Sequence, residues 1–555
     1  MKLILKNGIV YDPMNGINGE KMDICIKDGR IVDKIWFGAK KIDVSNKLVM
    51  PGGFDIHAHI AGAKVNSGRT LRPEDSLRKF FMKKNGLRSG SGYSVPSTFL
   101  TGYEYTKMGY TTAITPAMPP LYARHTHHEL NDIPIIDKMA FPLYDGNWFV
   151  MKYISEGDIE KLKAYVAWLL RTTKGFAIKI VNPGGTEAWG WRMNIEDIDE
   201  PVPHFNVTSR EMIENLVRAC ESLKLPHSVH IHGNNLGNPG NFETALKTID
   251  SIKHIEGKND RQVLHLTHLQ FFTYGGDSWK TFESRADEVA KLVNKRDVTI
   301  DTGNVVFGDT TTMTADGPLE YSLHTITRLK WVNRDVELET SPGITPIIYS
   351  KKSHVNAVQW AAGLELALLT EPEKVVLTTD HPNGGPFTRY PELIALLMSK
   401  KYREKVSVVN SAIDRRSSLL TIEKEYDFYE VAMITRANPA KAVGVEKIKG
   451  HLGKGAQADI AVYDINPLEF DPSDYQKIEK ALSNAFLTIK EGEIVFKDGE
   501  IIKQFTGKTY WVNAKSDAEI EKDLKEFFKK YYSVSLPNYV IGLDEVARGE
   551  VISIN

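Results

Sequence analysis

Apolar runs recur through the middle of the chain, and each ends in polar or charged residues. Eight of these runs predict strands: Gly53–Ile60, Thr111–Thr115, Lys138–Leu143, Phe176–Val181, Ser228–His232, Val263–Leu269, Val298–Asn304 and Lys374–Thr379. Longer segments with helical spacing lie between them, including Asp158–Arg171, Ser209–Leu223 and Asp287–Val293. Strands that alternate with helices are typical of parallel sheets. Eight such units predict an α/β fold with a (β/α)8 TIM-like barrel.

Both ends of the chain carry a different pattern, in which short alternating strands are interrupted by Asn-Gly, Asp-Gly or Glu-Gly. The segments concerned are Lys6–Val10, Lys27–Val32, Glu491–Val495 and Lys497–Ile502. Asx-Gly between alternating segments is a strong hairpin signal. We therefore predict one small β-sandwich domain built from residues 1–50 and 448–510, with Ala458–Tyr463 as one of its strands. The barrel domain is predicted to span residues 51–447.

Two further segments fall outside this alternation. Residues 61–100 follow the first predicted strand and are rich in Gly, Ser and Arg, which indicates an insert or lid over the barrel mouth. Residues 511–555 are predicted to be a C-terminal helical extension, because charged and apolar positions from Ser516 to Tyr532 have the spacing of a surface helix.

Composition narrows the class of protein. The 555 residues carry 70 basic and 71 acidic side chains, a net charge of -1, which argues against a nucleic-acid partner. No apolar run is long enough for a membrane span, and the first residues lead directly into a strand pattern, so we expect a cytoplasmic protein. The two cysteines, Cys25 and Cys220, are too few for a cysteine-bound metal cluster within this chain.

Polar side chains at the ends of the predicted strands suggest a metal site. His57 and His59 are two residues apart on the first strand, so both point to the same face. The carboxyl ends of barrel strands are where catalytic residues collect. An isolated His-x-His is weak evidence, but the Pro-Gly-Gly that precedes it and the eight-strand context favour metal ligands.

Lys179 lies within an apolar strand, where a charged ammonium is costly. A buried ion pair, a neutral amine and chemical modification are all consistent with this placement. A neutral amine can add carbon dioxide and become a carbamate, whose two oxygens can bridge two cations. A lysine whose head reaches solvent at the strand end is the simpler alternative.

Three later strands end in further candidate ligands. His232 and His230 share one strand face, and we favour His232 because it lies nearer the carboxyl end. The same reasoning favours His268 over His265. Asp380 follows a β-branched run and precedes His381-Pro382, and its alternative role is to cap the following turn. Imidazole and carboxylate ligands together suit zinc.

Four other side chains are candidate substrate contacts. Asn304 is expected at the end of the seventh strand and His381 follows Asp380, while Arg69 and Arg124 are cations that could contact acidic groups of a substrate. Surface solvation is the simpler role for both arginines.

The order of these motifs resembles the amidohydrolase superfamily, in its dihydroorotase and hydantoinase branch. The resemblance rests on Pro-Gly-Gly-Phe-Asp-x-His-x-His, a lysine on the fourth strand, two later histidines and a final aspartate, and it covers about residues 1–505. A closer resemblance is to the family of A-type subunits of formylmethanofuran dehydrogenases. The motifs that carry it are Phe54–Asn66, His230–Gly237 and Thr379–Gly385.

The resemblance implies a barrel of the amidohydrolase type with two zinc ions bridged by N6-carboxylysine at Lys179. The other ligands would be His57, His59, His232, His268 and Asp380, and Asp380 would also be the catalytic residue that carries the proton. One feature departs from dihydroorotases: His232 is followed by Gly-Asn-Asn and not by an acidic residue. That difference argues against their cyclic substrates.

The implied activity is reversible hydrolysis of a linear formamide, in which formate condenses with the amine of methanofuran during carbon dioxide fixation or methanogenesis. The implied partners are the other formylmethanofuran dehydrogenase subunits, which include iron–sulfur subunits and one that contains tungsten or molybdenum. The alternative is a stand-alone dihydroorotase- or hydantoinase-like cyclic amidohydrolase, or an N-acyl amino acid deacylase. Turnover of a formyl amine, with hydantoin left untouched, would distinguish the first from the second.

Overall fold

The centre of the molecule is a closed barrel of eight parallel strands. This computed structural model describes residues 2–81, 86–257, 261–333, 343–552 and 554. The barrel strands, numbered 1 to 8 here in chain order, are Gly53–Asp55, Tyr110–Met118, Asp137–Pro142, Lys179–Val181, Val229–His232, Leu264–Leu266, Val298–Asp301 and Val375–Val376.

Each barrel strand pairs in parallel with the next one along the chain. Strands 3 and 4 meet through a parallel bridge between Leu143 and Lys179, and a bridge between Ala58 and His381 joins strand 8 to strand 1. The ring of pairings is therefore complete, and the predicted fold class is confirmed.

A helix follows each barrel strand and packs on the outside of the barrel. The principal helices are Thr98–Lys107, Ala123–Asp132, Ile159–Thr172, Ser209–Ser222, Phe242–Ser251, Ala286–Lys295, His354–Leu369 and Tyr390–Met398. The three helices predicted from spacing are among them. Their starts are fixed by capping: Asp158 accepts a hydrogen bond from Lys161 N, and Thr208 forms a capping box with Glu211.

Six of the eight barrel strands are shorter than the apolar runs predict, whereas strand 2 is longer and strand 3 has the predicted length. Strand 1 ends at Asp55, so His57 and His59 lie just beyond it and not within it as predicted. His268 and Asn304 likewise follow strands 6 and 7. Because the chain leaves the sheet at these points, the polar side chains stand at the mouth of the barrel.

The two ends of the chain share one nine-stranded sheet. Its strands are Lys2–Asp12, Ile17–Lys27, Arg30–Val32, Lys40–Asp43, Leu48–Pro51, Ile460–Tyr463, Leu487–Lys490, Glu493–Lys497 and Glu500–Ile501. Antiparallel pairing of Leu48–Pro51 with Ile460–Tyr463 joins the N-terminal strands to the C-terminal ones. The sheet has its own apolar cluster, which includes Leu5, Val49 and Ile489.

One predicted turn in this sheet is wrong. Asn7-Gly8 does not form a hairpin, because the strand Lys2–Asp12 runs through it with a register shift between Leu5 and Gly8. Asn7 has φ 63°, as expected for a residue that interrupts the ladder at a bulge. The turns at Asp28-Gly29, Glu491-Gly492 and Asp498-Gly499 do connect antiparallel strands.

A buried ion network holds the β sheet against the bottom of the barrel. Asp137, at the start of barrel strand 3, accepts hydrogen bonds from Lys449 at 2.5 Å and Lys490 at 2.7 Å, and both lysines also reach Asp459. The lysines outweigh burial and lower the pKa of Asp137. Gly52 connects sheet and barrel, and a Cβ at this position would lie 2.3 Å from Thr111 Oγ1, so only glycine permits this approach.

Two inserts cover the barrel mouth, and the sequence predicts only the first. The first insert lies within the predicted lid over 61–100 and contains the helix Ala63–Leu71 and the short strands Phe80–Phe81 and Gly90–Ser91. The second insert lies between strands 7 and 8. It consists of the strands Gly308–Thr314, Val332–Asn333 and Gly343–Tyr349 and the helix Gly317–Thr327. An apolar cluster of Val65, Val95, Met313 and Ile344 joins the two inserts.

The C-terminal segment is only partly helical. It contains the helix Ala518–Tyr531, but Thr509–Val512 and Gly549–Ile552 are strands that extend the sheet beside barrel strand 3. The predicted extension over 511–555 is therefore a mixture of helix and strand. Within the described ranges, no helix has both the length and the apolar character needed to cross a bilayer.

Candidate metal centre

Three predicted ligands converge at the barrel mouth. Asp380 Oδ1 lies 3.0 Å from His57 Nε2 and 3.2 Å from His59 Nε2. These contacts lack hydrogen-bond geometry, since Asp380 Oδ1 has no hydrogen-bond partner among the described residues. All three side chains are buried, and their ligand atoms lie within 4.8 Å of one another. Two imidazole nitrogens and a carboxylate oxygen that face one point fit a zinc-type cation.

The next two histidines lie beside this group. The ring of His268 is 5.1 Å from that of His57 and 4.7 Å from that of His232. His268 Nδ1 is buried without a partner in the part of the chain that the structure describes. His232 Nε2 lies 3.1 Å from Asp316 Oδ2, which leaves Nδ1 of this ring free to bind a cation. His232 and His268 thus lie next to the group of His57, His59 and Asp380, which is the set of converging ligand atoms found among the described residues.

Lys179 lies at the start of strand 4 and reaches into the same space. Its Nζ donates a hydrogen bond to Thr267 Oγ1 at 2.8 Å, and its side chain is 1% exposed. Burial lowers the pKa of Lys179 to about 8, although Asp301 and Asp380 oppose that shift. The neutral amine is thus accessible near neutral pH, which is the condition for adding carbon dioxide.

The alternative histidines occupy a deeper level of the barrel. The strand register aligns Lys179 with His230, His230 with His265, and His265 with Thr299. Both ring nitrogens of His265 have partners, with Nδ1 2.9 Å from Thr299 Oγ1 and Nε2 3.2 Å from Asp301 Oδ2. His232 lies one inward-facing level closer to the mouth. The geometry therefore favours His232 and His268 over His230 and His265.

Burial keeps two of the imidazoles, His59 and His268, in the neutral form that binds metals. Burial lowers the pKa of His59 and of His268 well below the ordinary value. Burial also opposes a charge on His57, but Asp301 and Asp380 outweigh it and raise the pKa of His57. The neighbouring histidines lower the pKa of Asp380 against the effect of burial. Asp380 is therefore an anion that can bind a cation.

Asp301 is a further candidate site residue that the sequence patterns did not indicate. Its Oδ2 lies 3.2 Å from His57 Nδ1, and its Oδ1 accepts hydrogen bonds from His268 N at 2.8 Å and Thr378 Oγ1 at 2.6 Å. A carboxylate on the far nitrogen of a ligand histidine fixes its tautomer and ring orientation. The available signal was that Asp301 closes an apolar strand, as Asp380 does. Asp316 was not predicted either, because it lies in the second insert, which the sequence did not indicate.

We expect Asp301→Asn to weaken metal binding by about tenfold to a hundredfold, since His57 loses the carboxylate that orients it. Competition with a chromophoric zinc chelator would measure the change. Asp12→Asn is the matched control, because Asp12 is a buried carboxylate of the β domain that accepts from Leu452 N and Asn15. Equal metal affinity of Asp301→Asn and the control would contradict the orienting role.

The side chains of the four candidate substrate contacts do not belong to the group of His57, His59 and Asp380. Arg124 is paired with Glu545 and Val540 O, and Arg69 with Glu129 and Pro96 O. His381 Nδ1 accepts a hydrogen bond from Phe387 N. The amide of Asn304 lies beside Gln270 and the backbone position of Gly363, against an outer helix. None of these four side chains is brought together with His57, His59 and Asp380.

A cavity of about 290 Å³ opens beside the centre. Asp380, His232 and Asn383 line its inner end. The rest of the wall is mainly apolar and comes largely from the second insert and the helix that begins at His354. Its apolar side chains are Leu236, Phe271, Trp279, Leu319, Leu323, Ile326, Ile347, Ile348 and Val355. The cavity therefore suits a molecule with an apolar arm and a reactive polar end.

Comparison with known proteins identifies the class of protein. A family model described as the amidohydrolase family matches residues 40–496. The chain therefore belongs to the amidohydrolase family, and it is a metal-dependent amidohydrolase, as the sequence predicts.

The relatives are more specific. The chain is 55% identical to "Protein FwdA" of Methanocaldococcus jannaschii, over 100% of its own length and 99% of that protein. It is 32% identical to the A-type subunit of the "Formyltransferase/hydrolase complex Fhc" of Methylorubrum extorquens, covering 97% of this chain and 96% of that one. A crystal structure of the M. extorquens complex (FhcABCD) with methylofuran contains a chain of 32% identity that superposes with a TM-score of 0.91 over 100% of both chains. The predicted resemblance to the A-type family is confirmed.

Proposed function

We propose that this protein catalyses the reversible hydrolysis of formylmethanofuran to formate and methanofuran, as one component of a formylmethanofuran dehydrogenase. The observation that carries the proposal is the convergence of His57 Nε2, His59 Nε2 and Asp380 Oδ1 at the inner end of an apolar cavity. The 55% identity to Protein FwdA, which extends over the full length of this chain, supports formylmethanofuran as the substrate. The methylofuran bound to the FhcABCD complex supports a furan-bearing amine as substrate.

The site is proposed to hold two zinc ions. His57, His59 and Asp380 would bind the first, and His232 and His268 the second. Lys179 would bridge them as N6-carboxylysine: its neutral amine forms a bond to the carbon of carbon dioxide, loses one proton and becomes an anionic carbamate. When bound, the two cations would supply an acidified water and polarise the formyl oxygen.

Asp380 is the proposed proton carrier. In hydrolysis it accepts the proton of the attacking water and passes it to the leaving amine nitrogen. Asn383 Nδ2 donates a hydrogen bond to Asp380 Oδ2 at 2.9 Å, which holds the carboxylate in a fixed orientation. The apolar cavity wall excludes water from the amine side, and this favours condensation of formate with the amine in the reverse direction.

Partner subunits would supply the formate. The chain contains only Cys25 and Cys220, and burial raises the pKa of Cys220 to about 12. Carbon dioxide reduction would therefore occur on a tungsten- or molybdenum-containing partner with iron–sulfur subunits, as the resemblance implies. The FhcABCD assembly of the relative supports a multi-subunit complex. The cytoplasmic location stays a prediction.

Turnover of formylmethanofuran tests this function. We expect the zinc-loaded full-length protein to release formate from formylmethanofuran and to leave hydantoin and dihydroorotate intact. Formate release can be followed by a coupled formate dehydrogenase assay, and ring opening by loss of ultraviolet absorbance. Ring opening without formate release would reject the proposal in favour of a cyclic amidohydrolase.

A further inference from the structure

Two buried ionisable side chains of the inserts, one basic and one acidic, interact electrostatically without a hydrogen bond to each other. Lys64 lies on the first-insert helix Ala63–Leu71 and is 4% exposed. Glu320 lies on the second-insert helix Gly317–Thr327 and is 0% exposed. Lys64 Nζ and Glu320 Oε1 both lack a hydrogen-bond partner among the residues that the structure describes. Neither insert belongs to the barrel, so each contributes one charge to the mouth.

Both side chains are held near the centre. Glu320 lines the cavity together with Asp380 and His232, and Thr312 Oγ1 fixes its other oxygen, Oε2, at 3.0 Å. Lys64 lies on the helix that begins shortly after His59 in the chain; its charge helps to lower the pKa of His59, and Asp380 in turn raises that of Lys64. Glu320 therefore lines the cavity beside the proposed reaction centre, and Lys64 interacts electrostatically with Asp380 of that centre.

An unpaired buried charge is unfavourable, and these two could reduce the cost by pairing. They interact electrostatically, yet they do not form a hydrogen bond. Burial lowers the pKa of Lys64 to about 7 and raises that of Glu320 to about 8, which favours the neutral form of each, and a ligand of opposite charge would favour the charged form. Lys64 and Glu320 are expected to remain unbonded to each other if each binds a charged ligand instead.

The chemistry of the proposed reaction supplies two such ligands. Formate arrives as an anion and a primary amine as an ammonium. Their condensation forms one C–N bond and breaks one C–O bond of formate, and two of the three ammonium hydrogens leave with that oxygen as water. No outside reductant or oxidant is needed. The two reactants require opposite charges at the site, on opposite sides of the bond that forms.

We propose that Lys64 binds the carboxylate of formate and Glu320 binds the ammonium of the amine, so that the pair orients both reactants towards Asp380. This inference rests on the proposed function and deepens it. Both residues touch substrate, and neither is a metal ligand. The apolar arm of the amine would then lie along Leu319 and Leu323, which share the helix of Glu320 and line the cavity.

Product inhibition of formylmethanofuran hydrolysis separates the two roles. In the zinc-loaded full-length protein, we expect Lys64→Met to raise the inhibition constant for formate about tenfold to a hundredfold and to leave that for methanofuran within about threefold. Glu320→Gln should do the reverse. Lys64→Arg keeps the positive charge and should recover most of the formate affinity.

Buried residues away from the cavity provide matched controls. Lys138 donates to Ile133 O and Gly507 O, and Glu365 accepts from Ser418. Lys138→Met and Glu365→Gln should change neither inhibition constant, and zinc content should be equal in all variants. If Lys64→Met does not fold, Lys64→Gln and Lys64→Arg give the same comparison.

Each outcome has a distinct meaning. Inhibition constants that move together in both variants, or in neither, would overturn the assignment of Lys64 and Glu320 while formylmethanofuran turnover by the parent protein stands. A parent protein that binds two zinc ions and releases no formate would instead overturn the proposed function.

Discussion

Lys179→Ala is expected to lose the second zinc and nearly all activity together. Without the amine no carbamate can form, so His232 and His268 keep no bridging anion and the paired site cannot assemble. We expect kcat/KM to fall at least roughly a thousandfold, about 4 kcal/mol of transition-state stabilisation. Metal analysis by mass spectrometry and formate release from formylmethanofuran would measure both effects on one sample.

Chemical rescue makes this prediction sharper. Acetate or propionate can occupy the space left by the side chain and offer two oxygens, so part of the metal and of the activity should return. Lys138→Ala is the matched control: Lys138 is equally buried, and burial lowers its pKa to about 7, but it lies at the start of strand 3 and donates to backbone carbonyls. Two zinc ions retained in Lys179→Ala would remove the carbamate proposal.

Asp380→Asn is expected to keep much of the metal and to lose turnover by roughly 10²- to 10⁴-fold in kcat, the usual contribution of a general acid–base group. The amide oxygen can still face His57 and His59, but it cannot accept and return a proton. Steady-state hydrolysis of formylmethanofuran, measured beside zinc content, separates these two effects.

The control for this variant is again Asp12→Asn, a buried carboxylate of the β domain whose loss should leave kcat unchanged. Near-normal turnover in Asp380→Asn would refute the proton-carrying role. Parallel loss of zinc and activity would instead assign Asp380 to metal binding alone.

The sequence predicted the fold because local signals agreed with the tertiary structure. Apolar runs of strand length, separated by helical spacing, gave all eight barrel strands in order, and the Asx-Gly and Glu-Gly segments marked most turns of the β sheet. The lengths of six strands were overestimated, because apolar residues continue past the sheet; strand 2 was underestimated. His57 and His268 therefore follow strands that the pattern would have extended through them.

The second insert was not predicted, and the side chains that it contributes to the barrel mouth were therefore not predicted either. Its strands Gly308–Thr314 and Gly343–Tyr349 have seven residues each, but the first is rich in threonine and the second contains Pro346, so neither resembles the apolar run of a barrel strand. Asp316 and Glu320 lie between these strands. Asp316 contacts His232, and Glu320 contacts Thr312. These contacts form only when the insert folds over the barrel mouth, and no local sequence pattern predicts that.

By itself the sequence determined the order of the candidate ligands along the chain. They are two histidines at strand 1, a lysine on strand 4, histidines at strands 5 and 6, and an aspartate at the end of strand 8. Polar residues at the ends of apolar runs are local features, and parallel strands bring their carboxyl ends to one rim. The sequence already favoured His232 over His230 and His268 over His265 by their position nearer the carboxyl end, and the tertiary structure adds the hydrogen-bond partners of the His232 and His265 rings. Members of the first pair share a strand face, and their depth depends on register with neighbouring strands. The partners Asp301 and Asp316 were decided in the same way, because hydrogen bonds between distant segments exist only once the barrel closes.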